Sequence, residues 1–295
     1  LVRKTLLRTA HLNLKEQGLK SVLVTGGSGF LGRELVRRLL TFDDVERVGV
    51  FSSSERTQHE ARQIVGSDSR LRWMVGNVRD SDRVARAMRG VDTVIHAAAL
   101  KRVEVGQDNP REMIATNVQG TVNVLNAAED EGVGRLVFVS TDKAFEPANL
   151  YGASKFLAEG LVLAQRGNLL PRCVVARYGN VAGSTGSVIP IWRQLKAEGK
   201  RGVITDPNCT RFWMTLQEAA DLVLSAARNV GLGPVLVPNL PAYRVADLAE
   251  AIGIDCDVIG LQPGEKQHES MAAGMCSADT RRMTVDELRE GLAHV

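Results

Sequence analysis

The side chains best suited to chemistry sit close together in this 295-residue chain: Thr141-Asp142-Lys143, followed shortly by Tyr151-Gly152-Ala153-Ser154-Lys155. Four residues apart, Tyr151 and Lys155 fall on one face of a helix, one turn from each other. A lysine beside a phenol, assisted by a cationic hydride acceptor, lowers the tyrosine pKa, so Tyr151 is expected to take a hydroxyl proton as hydride leaves the carbon. Thr141 can hydrogen-bond a substrate hydroxyl or carbonyl, and Asp142 and Lys143 add an acid–base pair that simple alcohol oxidation does not need. A Tyr-x-x-x-Lys spacing also occurs in ordinary surface helices, and 141–143 has a competing reading as a solvated loop, the less favoured one so close to Tyr151. The elements that carry these residues decide between the readings.

Short apolar runs at 21–25, 45–51, 71–75, 91–96, 135–139 and 173–178 are separated by stretches of helical periodicity. Strands alternating with helices predict βαβ units and a parallel sheet covered on both faces. Residues 140–143 follow the fifth run, so they should emerge at the carboxyl edge of the sheet, where open α/β sheets bind ligands. After Tyr178 the texture changes: 179–186 is rich in Gly, Ser and Asn, and Pro190, Pro207, Pro234, Pro238, Pro241 and Pro263 punctuate the rest. This predicts a smaller, loop-rich region, with one helix over 216–229 returning to the core. The expected division is an N-terminal extension over 1–20, a dinucleotide-binding domain over 21–180 with 212–230 returning to it, and a substrate-binding region made of 181–211 and 231–295. The extension mixes Leu with Lys, Arg and Glu, and reads either as an amphipathic helix or as a frayed end.

Composition narrows the classes. With 37 basic and 34 acidic side chains the formal charge is +3, too balanced for a polyanion surface, so no nucleic-acid partner is expected. Aromatics at 4% argue against a stacking platform for single strands or glycans. Cys173, Cys209, Cys256 and Cys276 form no Cys-x-x-Cys pair, which argues against a metal cluster and suits a reducing compartment. No apolar run approaches the ~20 residues that cross a bilayer, and the N-terminus lacks a signal-peptide core. A cytoplasmic protein without a membrane partner is therefore expected.

Gly26-x-x-Gly29-x-x-Gly32 stands at the end of the first strand and the start of the first helix, where a phosphate-binding turn belongs. Gly26 allows the tight turn, Gly29 the approach of backbone to a pyrophosphate and Gly32 close helix–strand packing, with Ser28 and Phe30 between them. A purely structural glycine turn is the competing reading, and the βα alternation that follows favours the dinucleotide. After the second strand come Ser52, Ser53, Ser54, Glu55 and Arg56; the hydroxyls and Arg56 suit the 2′-phosphate of NADP, while Glu55 keeps NAD open. Asn77 and Val78 follow the third strand, at the expected adenine position. His96 precedes Ala97 and Ala98, small residues where backbone must approach a cofactor; it reads either as a cofactor contact or as a satisfied buried imidazole. The fold class is thus α/β, a Rossmann-type doubly wound parallel sheet with a smaller C-terminal substrate-binding domain.

Taken together, the segments TGGSGFLG, HAAALKRV, STDKAFEPANLYGASK, RYGNVAGSTGSVIP, TDPNCTRFWMT and PGEKQHE resemble the extended short-chain dehydrogenase/reductases. Within them they resemble the inverting UDP-N-acetylglucosamine 4,6-dehydratases of the polysaccharide-biosynthesis group. The resemblance runs from about Ser21 to about Glu269, and Thr141-Asp142-Lys143 carries the subgroup, because retaining sugar-nucleotide dehydratases look like Thr-Asp-Glu there.

The resemblance implies a reaction and roles. Tyr151 removes the proton of the sugar 4-hydroxyl as hydride passes to NADP, and Lys155 holds the nicotinamide ribose and tunes Tyr151. Lys143, which must be neutral, takes the C5 proton; Asp142 assists loss of the 6-hydroxyl as water; hydride returns to C6 and C5 is reprotonated from the opposite face. Burial and the cationic cofactor are expected to push the Lys143 pKa down. Lys101, Asn180, Ser187, Val188, Arg211 and Glu265 fall at positions implied to bind the UDP-sugar. A homo-oligomer is implied, with helices over 117–128 and 151–164 as candidate interfaces. Departures from the pattern include Ser53 and Thr57 after the second strand, Arg102 and Glu104 after HAAALK, Phe145-Glu146 in place of Val-Asn, and Gln262 before PGEK. They leave open a UDP-sugar epimerase or a dehydratase for another nucleotide sugar. A cofactor-binding protein without chemistry is the remaining alternative.

Overall fold

The computed structural model describes residues 18–165, 171–229 and 233–295; residues 1–17, most of the expected extension, lie outside the described residues. Strands β1 (Ser21–Thr25), β2 (Arg47–Ser52), β3 (Leu71–Val75), β4 (Thr93–His96), β5 (Arg135–Val139) and β6 (Arg172–Ala176) form the central sheet. Between them run α1 (Phe30–Leu39), α2 (Glu55–Val65), α3 (Ser81–Met88), α4 (Val103–Asp108), α5 (Pro110–Ile114), α6 (Gly120–Asp130) and α7 (Leu150–Ala164), with a π-helical turn at Ala115–Gln119. The second half adds α8 (Val188–Ala197), β7 (Gly202–Ile204), β8 (Thr210–Phe212), α9 (Leu216–Arg228), β9 (Val235–Leu236), β10 (Ala242–Arg244), α10 (Val245–Ile252), β11 (Cys256–Val258), β12 (Ser270–Ala272), β13 (Met275–Cys276) and α11 (Val285–Leu292).

The sheet order is β3-β2-β1-β4-β5-β6-β9, every pair parallel. Alternation along each strand explains why the runs are apolar throughout. Val22, Val24, Ile95, Val137 and Val174 face a layer containing Leu35, Val36 and Leu39 of α1 and Ala220, Val223 and Leu224 of α9. Their neighbours Leu23, Val94, Leu136, Phe138 and Val175 face Val84 and Met88 of α3, Val124 and Leu125 of α6 and Val162 of α7. Strands buried on both sides have no polar face to show.

The helix over Leu216–Arg228 returns to this core, opened by a reciprocal capping box between Thr215 and Glu218. Val235 and Leu236 also return: β9 pairs with β6 at the sheet edge, although they fall within the 231–295 stretch assigned to the substrate-binding region. Two residues are too short a run to stand out as a strand in sequence. At the other end Leu19 is buried in the main core, its N–H held by Asp44 at 3.0 Å, so residues 18–20 belong to the domain rather than to an extension.

A third apolar cluster lies in the smaller region, where Trp192, Trp213, Tyr243, Leu248, Ile252 and Leu288 pack together. It ties α8, α10 and α11 to two of the two-stranded sheets, β10-β8 and β11-β7, while Met271 of β12 and Met275 of β13 join the main core. Among the described residues no helix is long and apolar enough to cross a membrane.

The order reverses between β1 and β4, so a crevice opens at their carboxyl ends. It depends on α1 lying close against the turn that precedes it. A Cβ on Gly32 would stand 2.3 Å from the Gly26 carbonyl oxygen and 2.6 Å from Gly27 Cα. Gly32→Ala is therefore expected to lower stability by about 1–3 kcal/mol, read from the denaturation midpoint; an unchanged midpoint would show that the turn has room to spare.

Candidate active site

A cleft of about 630 Å³ runs along the carboxyl edge of the sheet, from the glycine turn to Asn180. At its first end, Gly26 takes a left-handed φ of 70° and donates to the Phe51 carbonyl at 2.8 Å. A Cβ there would meet the Ala97 carbonyl carbon and the Ala98 nitrogen at 2.8 Å, so the turn and the loop after β4 touch backbone to backbone. Gly26, Ser28, Gly29, Phe30 and Gly32 line the cleft, with Ala97 and Ala98 opposite and Asn77 and Val78 further along. This is a cradle without side chains at the start of a helix, and it fits a dinucleotide pyrophosphate.

Hydroxyls dominate the β2 end. Ser28 Oγ lies 2.9 Å from Ser52 Oγ and 2.7 Å from Thr57 Oγ1, and Ser52, Ser53, Ser54 and Thr57 line the cleft. Gln58, buried beneath, ties Ser52 to the Met74 carbonyl. Arg56 is not part of this group. Its guanidinium turns to Glu60, one helical turn on, at 2.5 Å and is largely solvated, because an exposed (i, i+4) pair on α2 is within easier reach than the cleft.

His96 takes the structural role of its two readings. Its Nδ1 pairs with Thr25 Oγ1 at 2.7 Å and its Nε2 with Thr121 Oγ1 at 3.1 Å. Burial pushes its pKa down to about 3, with the Lys155 charge acting in the same direction. Thr25 Oγ1 also accepts from the Ala98 N–H at 3.3 Å, so His96 steadies the loop that faces the cradle.

At the chemical end, β5 delivers Thr141, Asp142 and Lys143 on a single 3-10 turn, Asp142–Ala144. Asn149 caps α7 by accepting from the Gly152 N–H at 2.9 Å, which sets Tyr151 in the first turn. Gly152 is a requirement, since a Cβ would stand 2.2 Å from the Lys143 carbonyl oxygen; the phenol and Lys143 are held by one backbone contact. Thr141 hydrogen-bonds Tyr151 and donates to Asp142 Oδ1 at 2.9 Å. Lys143 Nζ lies 3.1 Å from Asp142 Oδ1 and 3.1 Å from Glu269 Oε1. A continuous chain of polar contacts thus runs Tyr151, Thr141, Asp142, Lys143, Glu269.

The electrostatics differ from the expectation for two of these groups. Burial pushes the Tyr151 phenol up to about 12, and the neighbouring Lys143 charge and the Thr141 hydrogen bond only partly oppose it. Lys143 is raised as well: burial works against its charge, but the carboxylates of Asp142 and Glu269 outweigh that. Lys155 goes the other way. Burial lowers it to about 7, with Glu159 partly opposing; its ammonium donates to the Val139 carbonyl at 2.7 Å and sits 3.8 Å from the centre of the Phe138 ring.

Of the expected substrate residues, Lys101 and Asn180 line the cleft, whereas Ser187, Val188, Arg211 and Glu265 do not. Ser187 is the N-cap residue of α8, ahead of Val188, and Arg211 and Glu265 hold each other at 3.2 Å with Thr205 on the same carboxylate oxygen. Lys266 donates to the Phe145 carbonyl at 2.8 Å and Arg177 grips Glu159 with two hydrogen bonds, both structural ties. Ser140 Oγ, Asp142 Oδ2, Asn180 Oδ1, Ser187 Oγ and Glu269 Oε2 are buried without a hydrogen bond among the described residues. Orphaned polar atoms of this kind are the signature of a site built for a polar ligand.

Sequence reasoning missed Glu269, Thr57 and Gly152. Thr57 was visible only as a departure from a pattern, and Gly152 only as the second letter of Tyr-Gly-Ala-Ser-Lys; nothing local to Glu269 points to Lys143.

A doubly wound sheet with a glycine turn, a Tyr-x-x-x-Lys helix and a C-terminal region closing on the same edge defines an extended short-chain dehydrogenase/reductase. Within that class the chain belongs to the polysaccharide biosynthesis protein family, whose sequence model matches residues 22–286. It is 39% identical over 273 residues to a UDP-N-acetylglucosamine 4,6-dehydratase (inverting) of Campylobacter jejuni, covering 90% of this chain and 80% of that one. It is also 39% identical over 277 residues to a UDP-glucose 4-epimerase of Rickettsia massiliae, covering 89% and 81%. Among solved structures, Pen from Bacillus thuringiensis superposes with a TM-score of 0.87 at 30% identity, covering 95% of this chain and 99% of that one. The dTDP-glucose 4,6-dehydratase DesIV from Streptomyces venezuelae, solved with NAD and TYD bound, gives 0.79 at 25%, covering 92% and 96%.

Two outcomes follow from the site alone. Lys155 is charged in the unfolded chain up to its ordinary 10.5 but only up to about 7 when folded; between those values the unfolded state binds more protons, so ligand-free stability rises with pH. Lys155→Met should flatten that rise in denaturation midpoints taken across the window, and an unchanged slope would show that the lysine is solvated. Glu146, in the loop between Lys143 and Tyr151, takes a left-handed φ of 48°, a conformation that Asn accepts more readily. Glu146→Asn is expected to add about 1 kcal/mol, again read from the midpoint; a loss would show that the carboxylate makes a stabilising contact.

Proposed function

We propose that this chain is a nucleotide-sugar 4,6-dehydratase, a hydro-lyase that converts UDP-N-acetylglucosamine or a closely related UDP-HexNAc to a 4-keto-6-deoxy sugar with inversion at C5. The observation that carries it is the acid–base pair Asp142–Lys143 joined through Thr141 to Tyr151. Oxidation at C4 alone needs a phenol and Lys155. A second proton-transfer pair a hydrogen bond away is what loss of water across C5 and C6 requires. The 39% identity to a relative named for this activity supports the reading.

Tyr151, raised by burial to about 12, must first give up its own proton; its phenolate, held by Thr141, then takes the 4-hydroxyl proton. Lys155, anchored on the Val139 carbonyl, lines the same cleft as Tyr151 and is assigned to the cofactor ribose. Lys143 takes the C5 proton once C4 is a ketone, and Asp142, whose Oδ2 is open, protonates the departing 6-hydroxyl. A bound nicotinamide supplies the hydride acceptor at C4 and the donor at C6. Gly26, Ser28, Gly29, Phe30, Gly32, Ala97 and Ala98 would hold its pyrophosphate, and Asn77 and Val78 its adenine. NADP is favoured over NAD, because Ser52, Ser53 and Thr57 line the ribose end and Glu55 does not. With Arg56 spent on Glu60, the 2′-phosphate would rest on hydroxyls, so the preference is modest. Lys101 and Asn180, which line the cleft, are assigned to the UDP-sugar, and Arg211 and Glu265, paired with each other outside that lining, would have to part to reach it. A homo-oligomer is supported by Phe156 and Leu157, apolar side chains of α7 that are each 54% exposed.

The epimerase relative favours a second reading, C4 inversion without loss of water. Purified protein given UDP-N-acetylglucosamine separates them: a product lighter by one water, with solvent deuterium at C5, is expected, and a C4 epimer with all its oxygens would overturn the dehydratase. Tyr151→Phe should cut turnover by roughly 10²–10⁴-fold; undiminished turnover would remove Tyr151 from its role. Lys143→Ala should abolish C5 exchange while NADP binding, measured by calorimetry, stays intact. Loss of NADP binding would mark Lys143 as structural.

A further inference from the structure

Glu269 has no part in the reactions above, yet it is one of two carboxylates that grip Lys143. Its Oε1 stands as far from Lys143 Nζ as Asp142 Oδ1 does, 3.1 Å in each case. The residue is 3% exposed, and Oε2 makes no hydrogen bond among the described residues, with Lys266 Nζ at 3.8 Å. Its backbone is fixed on both sides by Ser277, which accepts from Glu269 N–H at 2.9 Å and donates its own N–H to the Glu269 carbonyl at 2.8 Å. Ser277 is pinned in turn to Thr210 of β8. A buried carboxylate with one oxygen unsatisfied is costly, and this one is built into a rigid corner and aimed at Lys143.

The inference rests on the dehydratase reading. For Lys143 to take the C5 proton it must first shed one of its own, in a cleft that substrate closes. We propose that Glu269 is the positioning residue that accepts this proton. An N–H bond of Lys143 breaks as an O–H bond forms on Glu269 Oε1; the ammonium becomes an amine, the carboxylate a carboxylic acid, and the net charge of the pair is unchanged. The amine takes the C5 proton and is charged again. Lys143 then passes a proton to Asp142 and regains one from Glu269; the Asp142 proton leaves with the 6-hydroxyl as water, and solvent reprotonates C5 from the opposite face. Lys143 ends as an ammonium and both carboxylates end ionised, as they began.

The groups facing this pair are Asp142 on the same turn, Tyr151 from α7, Arg211 from β8, Tyr243 from β10, and Lys266 from the segment before β12. His268 is tied to Thr210 Oγ1 at 2.8 Å.

The test is the pH profile of water loss and C5 deuteration from UDP-N-acetylglucosamine by wild type, Glu269→Gln and Glu269→Asp, with thermal melts to establish folding. Wild type is expected to be flat around neutral pH. Glu269→Gln should be roughly 10–100-fold slower at pH 7 and gain about tenfold per pH unit, because its Lys143 proton must leave to solvent. Glu269→Asp should keep the flat profile. A Gln variant with wild-type rate and profile, or a pH-independent loss shared by Gln and Asp, overturns the proposal. If wild type leaves UDP-N-acetylglucosamine untouched, the dehydratase reading falls first and the proposal with it.

Discussion

The ammonium of Lys143, held between two buried carboxylates, is the interaction on which the rest of the site depends. Asp142 is 1% exposed and Glu269 3%, so neither charge is tolerable without the lysine, and the lysine is not tolerable without them. The two carboxylates come from different halves of the chain. Asp142 rides on the turn after β5, whereas Glu269 leads into β12, which packs against that same turn. The smaller region therefore does more than roof the cleft, because its docking completes the charge balance of the Rossmann edge.

The cofactor end is built on the opposite principle. There the chain contributes glycine backbone, small alanines, a row of hydroxyls, and a buried neutral imidazole that steadies the Ala98 loop through Thr25, and the charges that line it, Arg79 and Glu112, are spent on each other. A surface of that kind is organised before any ligand arrives, since backbone contacts such as Gly26 against Ala97 leave no rotamers to order. Selection at this end comes from shape and N–H direction, and at the other end from the placement of protons.

Much of this was legible in the sequence, and the boundary between legible and hidden has a physical cause. Local patterns survived: β1, β3 and β5 fall where their apolar runs lie, the glycine turn sits between β1 and α1, and Tyr151 and Lys155 share the face their spacing requires. What depends on distant partners was hidden. Arg56 looked like a phosphate ligand until Glu60 offered a nearer carboxylate, and β9 is too short for periodicity to register. The direction of the Lys143 shift could not be read either, because burial alone points downward and Glu269, the group that helps reverse it, lies far along the chain.

That reversal gives the two buried lysines opposite characters on either side of Tyr151. Lys155 has an aromatic face, a carbonyl and only a partly opposing carboxylate, so burial lowers it to about 7. Lys143, partly open to the cleft, is held charged by its two carboxylates. Groups whose environments push their pKa values apart are the ones that can divide acid and base duties at a single pH. On the proposed reaction the division runs along the substrate. There Lys155, whose pKa burial lowers, serves with the phenol at the C4 end, where the hydroxyl is oxidised. In the same proposal Lys143, held between two carboxylates, serves the end where C5 must lose one proton and regain another and the 6-hydroxyl must leave as water. An alcohol dehydrogenase has use for the first arrangement only, so under the proposed function it is the Asp142–Lys143–Glu269 triplet, held together at a desolvation cost, that would make oxidation a step of the chemistry rather than its end.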